Sequence, residues 1–374
     1  MMKRLQKNNI INDLREKYVF LAGPRQSGKT TLSKSLFAPD EVQYLNYDLA
    51  HDRQIITNGQ WDRNVKLVIL DEFHKFPTWK TFLKGYYDTE GNSPPILVTG
   101  SARLNVFRAG NDSMVGRYHY HRLLPFSVKE LENKMKPDEA LEALLKFGSF
   151  PEPFLKGSEL AKKRWQKQYL ERVVREDVTD LSNVRSLPKI QLLIDLLRER
   201  VGSQISYASL ARDLEVASKT VKEWIALLEQ LYIVFRITPY HKNIARSLLK
   251  EPKIYFFDPT LAFDSKNHLE NLVAVSLLKH LWYLEDTQGN HCQLHYLRTR
   301  NGHEVDFLTV VDRAPKEMIE VKTSDQNFHK ALFYFQKFLP KTKVIQIVQN
   351  LPKTKNQNTV EMKKVSTYLA GLGL

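Results

Sequence analysis

The sequence predicts an α/β protein in three parts, and three observations carry that prediction. Short apolar runs alternate with helix-like stretches over the first 147 residues, the pattern of a parallel sheet with crossover helices. From about Leu160 to Leu231 the periodicity is helical almost throughout. From Lys253 onward strand-like and helical patterns mix again. The expected domains are therefore 1–147, 148–252 and 253–374, with the first boundary at the Gly- and Pro-rich stretch GSFPEPF, 148–154. A chain of 374 residues is long for one core, which agrees with several domains.

Each element has a local reason. Residues 17–22 (KYVFLA) read as a buried strand ending at Gly23, with a helix expected from about Lys29 to Phe37. Further strands are expected at 42–47 (VQYLNY), 65–70 (VKLVIL) and 95–99 (PILVT). Glu130 to Phe147 reads as helix. In 207–231, Leu210, Ala211 and Leu214 form one helix face, 215–217 a turn, and Ser218 can cap a second helix with Val221, Trp224, Ile225 and Leu228 inside. That is helix-turn-helix spacing, and YIVFRI with a later strand would supply a wing. KIYFFD, 253–258, is a strand stopped by Pro259, and Glu270 begins a long apolar helix. LHYLRTR and EVDFLTVV form a hairpin around Asn301-Gly302, followed by the strand EMIEVK.

Composition narrows the function classes. Hydrophobic residues make up 42%, enough for ordinary cores. No apolar run approaches the roughly 20 residues needed to cross a bilayer. The stretch MMKRLQKNNIINDL lacks the apolar centre of a secretory signal, and the single cysteine, Cys292, excludes an internal disulfide framework. A cytoplasmic protein without a membrane contact is expected. The net charge of +14 favours a polyanionic partner, above all nucleic acid, and leaves open a homo-oligomer or a protein partner.

The most specific motif is GPRQSGKT, which fits G-x-x-x-x-G-K-[ST] and sits between a strand and a helix. Gly23 and Gly28 permit a tight loop through Pro24, Arg25, Gln26 and Ser27 whose available backbone N–H groups wrap the phosphates. Lys29 is expected on the β and γ phosphates of ATP, Thr30 on magnesium, and Thr31 beside them. The run LVILDE delivers two carboxylates at a strand end: Asp71 for magnesium and Glu72 to deprotonate the attacking water. No N-K-x-D guanine signature occurs, so ATP is preferred to GTP. In TGSAR, Ser101 is expected to sense the γ-phosphate, with Thr99 the lesser alternative. Of Arg103, Arg108 and Arg117, the last is the first choice for an arginine finger. Asp48 is expected behind the site or as a helix cap.

Two further constellations invite chemistry. On the second helix of the helix-turn-helix, Ser218, Lys219, Thr220 and Lys222 could touch DNA phosphates, although Glu223 and Glu229 would repel them. Near the C-terminal end, period two puts Glu304 and Asp306 on one strand face and Glu320 and Lys322 on one face of the next. Such carboxylates can bind magnesium or manganese and generate hydroxide, with the lysine stabilising transition-state charge. The competing reading pairs them with Lys322 or Arg298 as a purely structural cluster. His291, Cys292 and His295 do not complete a zinc set.

Together these residues resemble a prokaryotic family of AAA-like, or archaeal-type, P-loop ATPases with a C-terminal domain formerly of unknown function. The matching stretches include GPRQSGKTTL, LVILDEFHKFPTW, LVTGSAR with VGR and HRLLPFSVKEL, GSFPEPF, PKIYFFDPTLA, LENLV, EVDFL and IEVKTS, nearly the length of the chain. The resemblance implies a winged helix in the middle and a PD-(D/E)XK, restriction-endonuclease-like fold at the end. On it, Glu270, Asp306, Glu320 and Lys322 take the nuclease positions. His74 departs from the glutamine that members often carry two residues after the Walker B glutamate. Two readings follow: an ATPase coupled to a nuclease, or an ATP-driven switch whose inactive nuclease-like domain docks a partner.

Overall fold

The computed structural model describes residues 2–100, 114–181, 186–241, 251–324 and 327–373. Its contacts divide the chain into two compact units rather than three, one spanning Arg4–Pro125 and one containing Phe126–Leu374.

The first unit is built on five parallel strands: β1 (Tyr18–Ala22), β2 (Val42–Asn46), β3 (Leu67–Asp71), β4 (Ile96–Thr99) and β5 (Tyr118–Arg122), in the order β2-β3-β4-β1-β5. The four strands expected from apolar runs form within two residues of their expected bounds. β5 was not expected, because YHYHR carries no apolar run; it closes an edge of the sheet beside β1. The inner strands β1, β3 and β4 are buried on both faces, while the edge strands β2 and β5 are only partly buried. Phe20, Val68, Leu70 and Val98 pack with Trp61, Phe73 and Trp79 on one side. Val19, Leu21, Leu67, Ile69 and Leu97 pack with Ile10 and Leu32 on the other. The helix after β1 spans Lys29–Lys34, a turn shorter than its apolar pattern suggests.

The second unit contains an eight-stranded sheet. Its strands are β6 (Val234–Pro239), β7 (Lys253–Phe256), β8 (Cys292–Arg298), β9 (Glu304–Val311), β10 (Ala314–Lys322), β11 (Lys343–Val348), β12 (Lys355–Gln357) and β13 (Val360–Lys364). The order is β12-β13-β11-β10-β9-β8-β6-β7. β8 and β9 pair antiparallel across the Asn301-Gly302 turn, where Gly302 has a φ of 84°. The helices Tyr207–Asp213 and Ser218–Gln230 flank a turn, and β6 pairs antiparallel with β7. Ser218 begins the second helix without capping it; the side-chain cap is Ser206, on the first.

The expected boundary at 148 lies inside this unit for a local reason. Gly148 has a φ of 84°, and a Cβ there would stand 2.9 Å from Asp258 Oδ1. Asp258 is buried and bonded to Thr260 and Gln166, so GSFPEPF is packed against the strand end at 258 rather than acting as a linker. Likewise β6 joins the C-terminal sheet by pairing with β8 as well as β7. The long helix Lys266–Gln288 packs on β7, β8 and β9 and begins one turn before Glu270. Among the described residues, no helix is long and apolar enough to cross a membrane.

Candidate functional site

Strand order assembles the first site. β4 lies between β1 and β3, and the register sets Leu21, Thr99 and Asp71 level across the three strands. The loop after β1 therefore opens beside the ends of β4 and β3. Gly23, at φ 147°, lies so close to the chain just after β5 that a Cβ would stand 2.3 Å from Leu123 O. Gly28 is left-handed at φ 94° and starts the helix. Lys29 is buried and folds over its own loop, donating to Gly23 O at 3.0 Å and Pro24 O at 2.8 Å. Ser27 is fully buried, and its Oγ has no hydrogen bond among the described residues.

Asp71 is the hub. Thr30 Oγ1 donates to Asp71 Oδ2 at 2.9 Å, and the Tyr44 hydroxyl donates to the same oxygen at 2.7 Å. Thr99 donates to Asp71 Oδ1. Burial, with Asp71 beside it, holds the Tyr44 phenol above its ordinary range, so it stays a donor. Thr30 and Asp71 thus form the neutral-hydroxyl and carboxylate pair that magnesium takes, and the site fits that ion. Thr99, the lesser alternative in sequence, is the β4 residue in the site; Ser101, Arg103 and Arg108 lie outside the described residues.

Glu72 leaves the strand with a left-handed φ of 53°, a conformation costing a non-glycine residue about 1–3 kcal/mol. Its Oε2 is buried and makes no hydrogen bond among the described residues. His74 Nε2 lies 3.6 Å and Lys75 Nζ 3.7 Å from it. Burial pushes this carboxyl up; Lys75 opposes that, and Asp71 adds repulsion. Asp48 is not a helix cap: both its oxygens bind Lys75 Nζ.

Arg117 does not come to this site. It precedes β5, whose start pairs with Tyr18 at the beginning of β1, so it stands at the opposite end of the strands from the loop. Five strand residues at about 3.3 Å each separate the two by roughly 16 Å. Its Nε binds Asp88 Oδ1 at 2.6 Å. Arg4, which nothing in the sequence marked, is buried and donates to Ser27 O and Leu124 O, fastening the loop to the chain beyond β5.

The C-terminal carboxylates also converge, but on a protein cation. Lys253, at the start of β7, is 3% exposed. Its Nζ lies 2.6 Å from Glu304 Oε1, 3.7 Å from Glu270 Oε1 and 3.9 Å from Asp306 Oδ1. Tyr255 donates to Glu270 Oε1 at 2.6 Å, Val321 N to Asp306 Oδ2 at 2.9 Å, and Arg298 to Glu304 Oε2 at 2.5 Å. Glu320 turns elsewhere: its Oε1 meets Lys322 Nζ at 2.8 Å and His329 Nδ1 at 3.3 Å. Burial and repulsion from Asp306 push Glu320 up to about 8 and Glu270 up to about 7. Glu270, Asp306 and Glu320 do not fit a shared divalent metal as they stand. Among the described residues, no group of three His, Cys, Asp or Glu side chains is arranged to hold one. The sequence signal for Lys253 was a lysine opening an otherwise apolar strand.

With this geometry in view, comparison with known proteins bears on the first unit. Residues 15–132 match a family model described as an AAA domain. That match supports an AAA-like P-loop domain over residues 15–132. Residues 138–268 and 265–368 match two domains of unknown function, DUF8612 and DUF4143. The chain is similar to an uncharacterized protein of Mycobacterium tuberculosis, Rv2008c, at 24% identity over 84% of this chain and 72% of that one. It is similar to an uncharacterized protein of Methanocaldococcus jannaschii, MJ1544, at 25% identity over 80% of this chain and 73% of that one. A solved STAND ATPase with a tetratricopeptide repeat sensor, from Pyrococcus horikoshii, aligns at 13% identity over 76% of this chain and 48% of its own, with a TM-score of 0.24. A likeness that low carries no argument.

Proposed function

We propose that this protein is a magnesium-dependent ATPase whose second unit docks a polyanionic partner, with nucleic acid the class its charge favours. The observation that carries the ATPase reading is the hub at Asp71, which gathers Thr30, Tyr44 and Thr99 beside Lys29 and Glu72. Thr30 and Asp71 would hold magnesium, which when bound offsets phosphate charge. The Lys29 ammonium swings from the loop carbonyls to the β and γ phosphates. Glu72 Oε2 accepts a proton from water as that water attacks the γ-phosphorus and ADP departs. Calorimetry tests the site: Lys29→Ala should bind ATP severely more weakly, and unchanged affinity would remove the assignment.

For the second unit, docking is preferred to cleavage because its carboxylates are already charge-paired within the protein. The net charge of +14 and the exposed Ser218, Lys219 and Lys222 support an anionic partner. The nuclease reading keeps one observation: Asp306, Glu320 and Lys322 are neighbours on β9 and β10, where Asp306 N donates to Glu320 Oε2 at 3.3 Å. Incubation of the protein with DNA and RNA, with magnesium or manganese, separates the two. Binding without cleavage is expected; cleavage lost in Asp306→Asn would establish the nuclease instead.

A further inference from the structure

We infer that the Lys253 ammonium is the resident cation of the C-terminal carboxylate cluster, standing where a divalent metal would have to stand and making the cluster metal-independent. Burying an ammonium costs several kcal/mol unless charges and hydrogen bonds compensate it. Lys253 meets that requirement with Glu304, Glu270 and Asp306, which reach it from β9 and from the helix Lys266–Gln288. A magnesium ion needs oxygens at about 2.0–2.1 Å around one point. Here the inward oxygens Glu304 Oε1, Glu270 Oε1 and Asp306 Oδ1 surround Nζ at 2.6–3.9 Å. Three outward contacts hold them in that posture: Arg298 on Glu304, Tyr255 on Glu270 and Val321 N on Asp306. Gly202 closes the side at Glu270, since a Cβ there would stand 2.9 Å from its Oε1.

The ammonium therefore ties β7 to β9 and the long helix as an ionic cross-link. Removing it while keeping the carboxylates would leave three partly buried acids without their main counter-charge, a site that a divalent cation relieves. The inference is independent of ATP hydrolysis. It is tested without nucleotide or nucleic acid, so its failure is distinct from failure of either proposal above.

The experiment titrates the nucleotide-free full chain with Mn2+ and follows the free ion by electron paramagnetic resonance. Wild type and Asp306→Asn should bind the same number of ions, because any ion near Asp71 is common to both. Lys253→Met should bind one additional ion per chain, and Lys253→Met with Asp306→Asn should lose it again. Mn2+ should raise the unfolding midpoint of Lys253→Met more than that of wild type. If wild type binds an ion that Asp306→Asn does not, Lys253 is not the resident cation. A folded Lys253→Met that gains no ion overturns the inference equally. Should Lys253→Met fail to fold, the comparison of wild type with Asp306→Asn decides alone.

Discussion

The two units each bring carboxylates to strand ends, but they partner them differently. At the nucleotide loop, Asp71 is held by three neutral hydroxyls, from Thr30, Tyr44 and Thr99. In the C-terminal sheet, Glu304 and its neighbours are held by the buried ammonium of Lys253. Hydroxyls orient a carboxylate and leave its charge in place, so a cation is still attracted. An ammonium offsets part of the charge and fills the space between the carboxylates, so the demand for a metal falls. Acidic residues on adjacent strands thus do not by themselves specify a metal centre; the charge of their partners decides.

The sharpest way to test the first half of this comparison is Glu72→Gln. The amide keeps the shape but cannot accept the proton of water, so steady-state phosphate release should fall about 100- to 10,000-fold while ATP binding persists. Turnover at the parental rate would show that another group is the base. The second half is exposed by Lys253→Met, which strands three carboxylates. Urea unfolding without metal should show a loss of about 3–5 kcal/mol, the usual cost of breaking a buried ion pair by removing one partner. A neutral result would mean that the cluster is solvated and the ammonium incidental.

A smaller effect should follow from trimming the hub. Thr99→Val or Tyr44→Phe removes one hydroxyl from Asp71 and should weaken the apparent magnesium affinity of the ATPase about 10- to 100-fold. Magnesium dependence unchanged from wild type in both variants would place the ion away from Asp71. The smallest expected effect is in pH. Burial raises the Glu72 carboxyl, and a base works only when deprotonated, so activity should fall as pH drops through a value above the ordinary carboxylate range. In the second unit, Glu320 is raised to about 8, so the folded state holds a proton there that the unfolded chain releases near 4.5. Stability should be full below that unfolded value and decline as pH rises toward about 8. Glu320→Gln should flatten this decline, and an unchanged slope would assign it to other groups.

The sequence by itself determined the local features. The apolar runs located β1, β3 and β4, because a strand buried on both faces needs continuous apolar residues whatever its neighbours are, and a shorter mixed run located the edge strand β2. The loop motif was legible because Gly23, Gly28, Lys29 and Thr30 act within one turn of chain. Period two placed Glu304 with Asp306, and Glu320 with Lys322, on shared faces. What tertiary structure alone decided was which distant groups meet. Strand order and register brought Thr99 and Tyr44 to Asp71 and left Arg117 at the far end of the strands from the loop, since pairing is set by packing and not by spacing. β5 escaped detection because its residues become strand by pairing with β1 rather than by their own pattern. The two-unit division followed from β6 pairing with both β7 and β8 and from Gly148 packing on Asp258. Lys253 lies 51 residues before Glu304 in sequence and 2.6 Å from it in space. An ion pair of that separation exists only once the sheet has closed, because no local propensity encodes it.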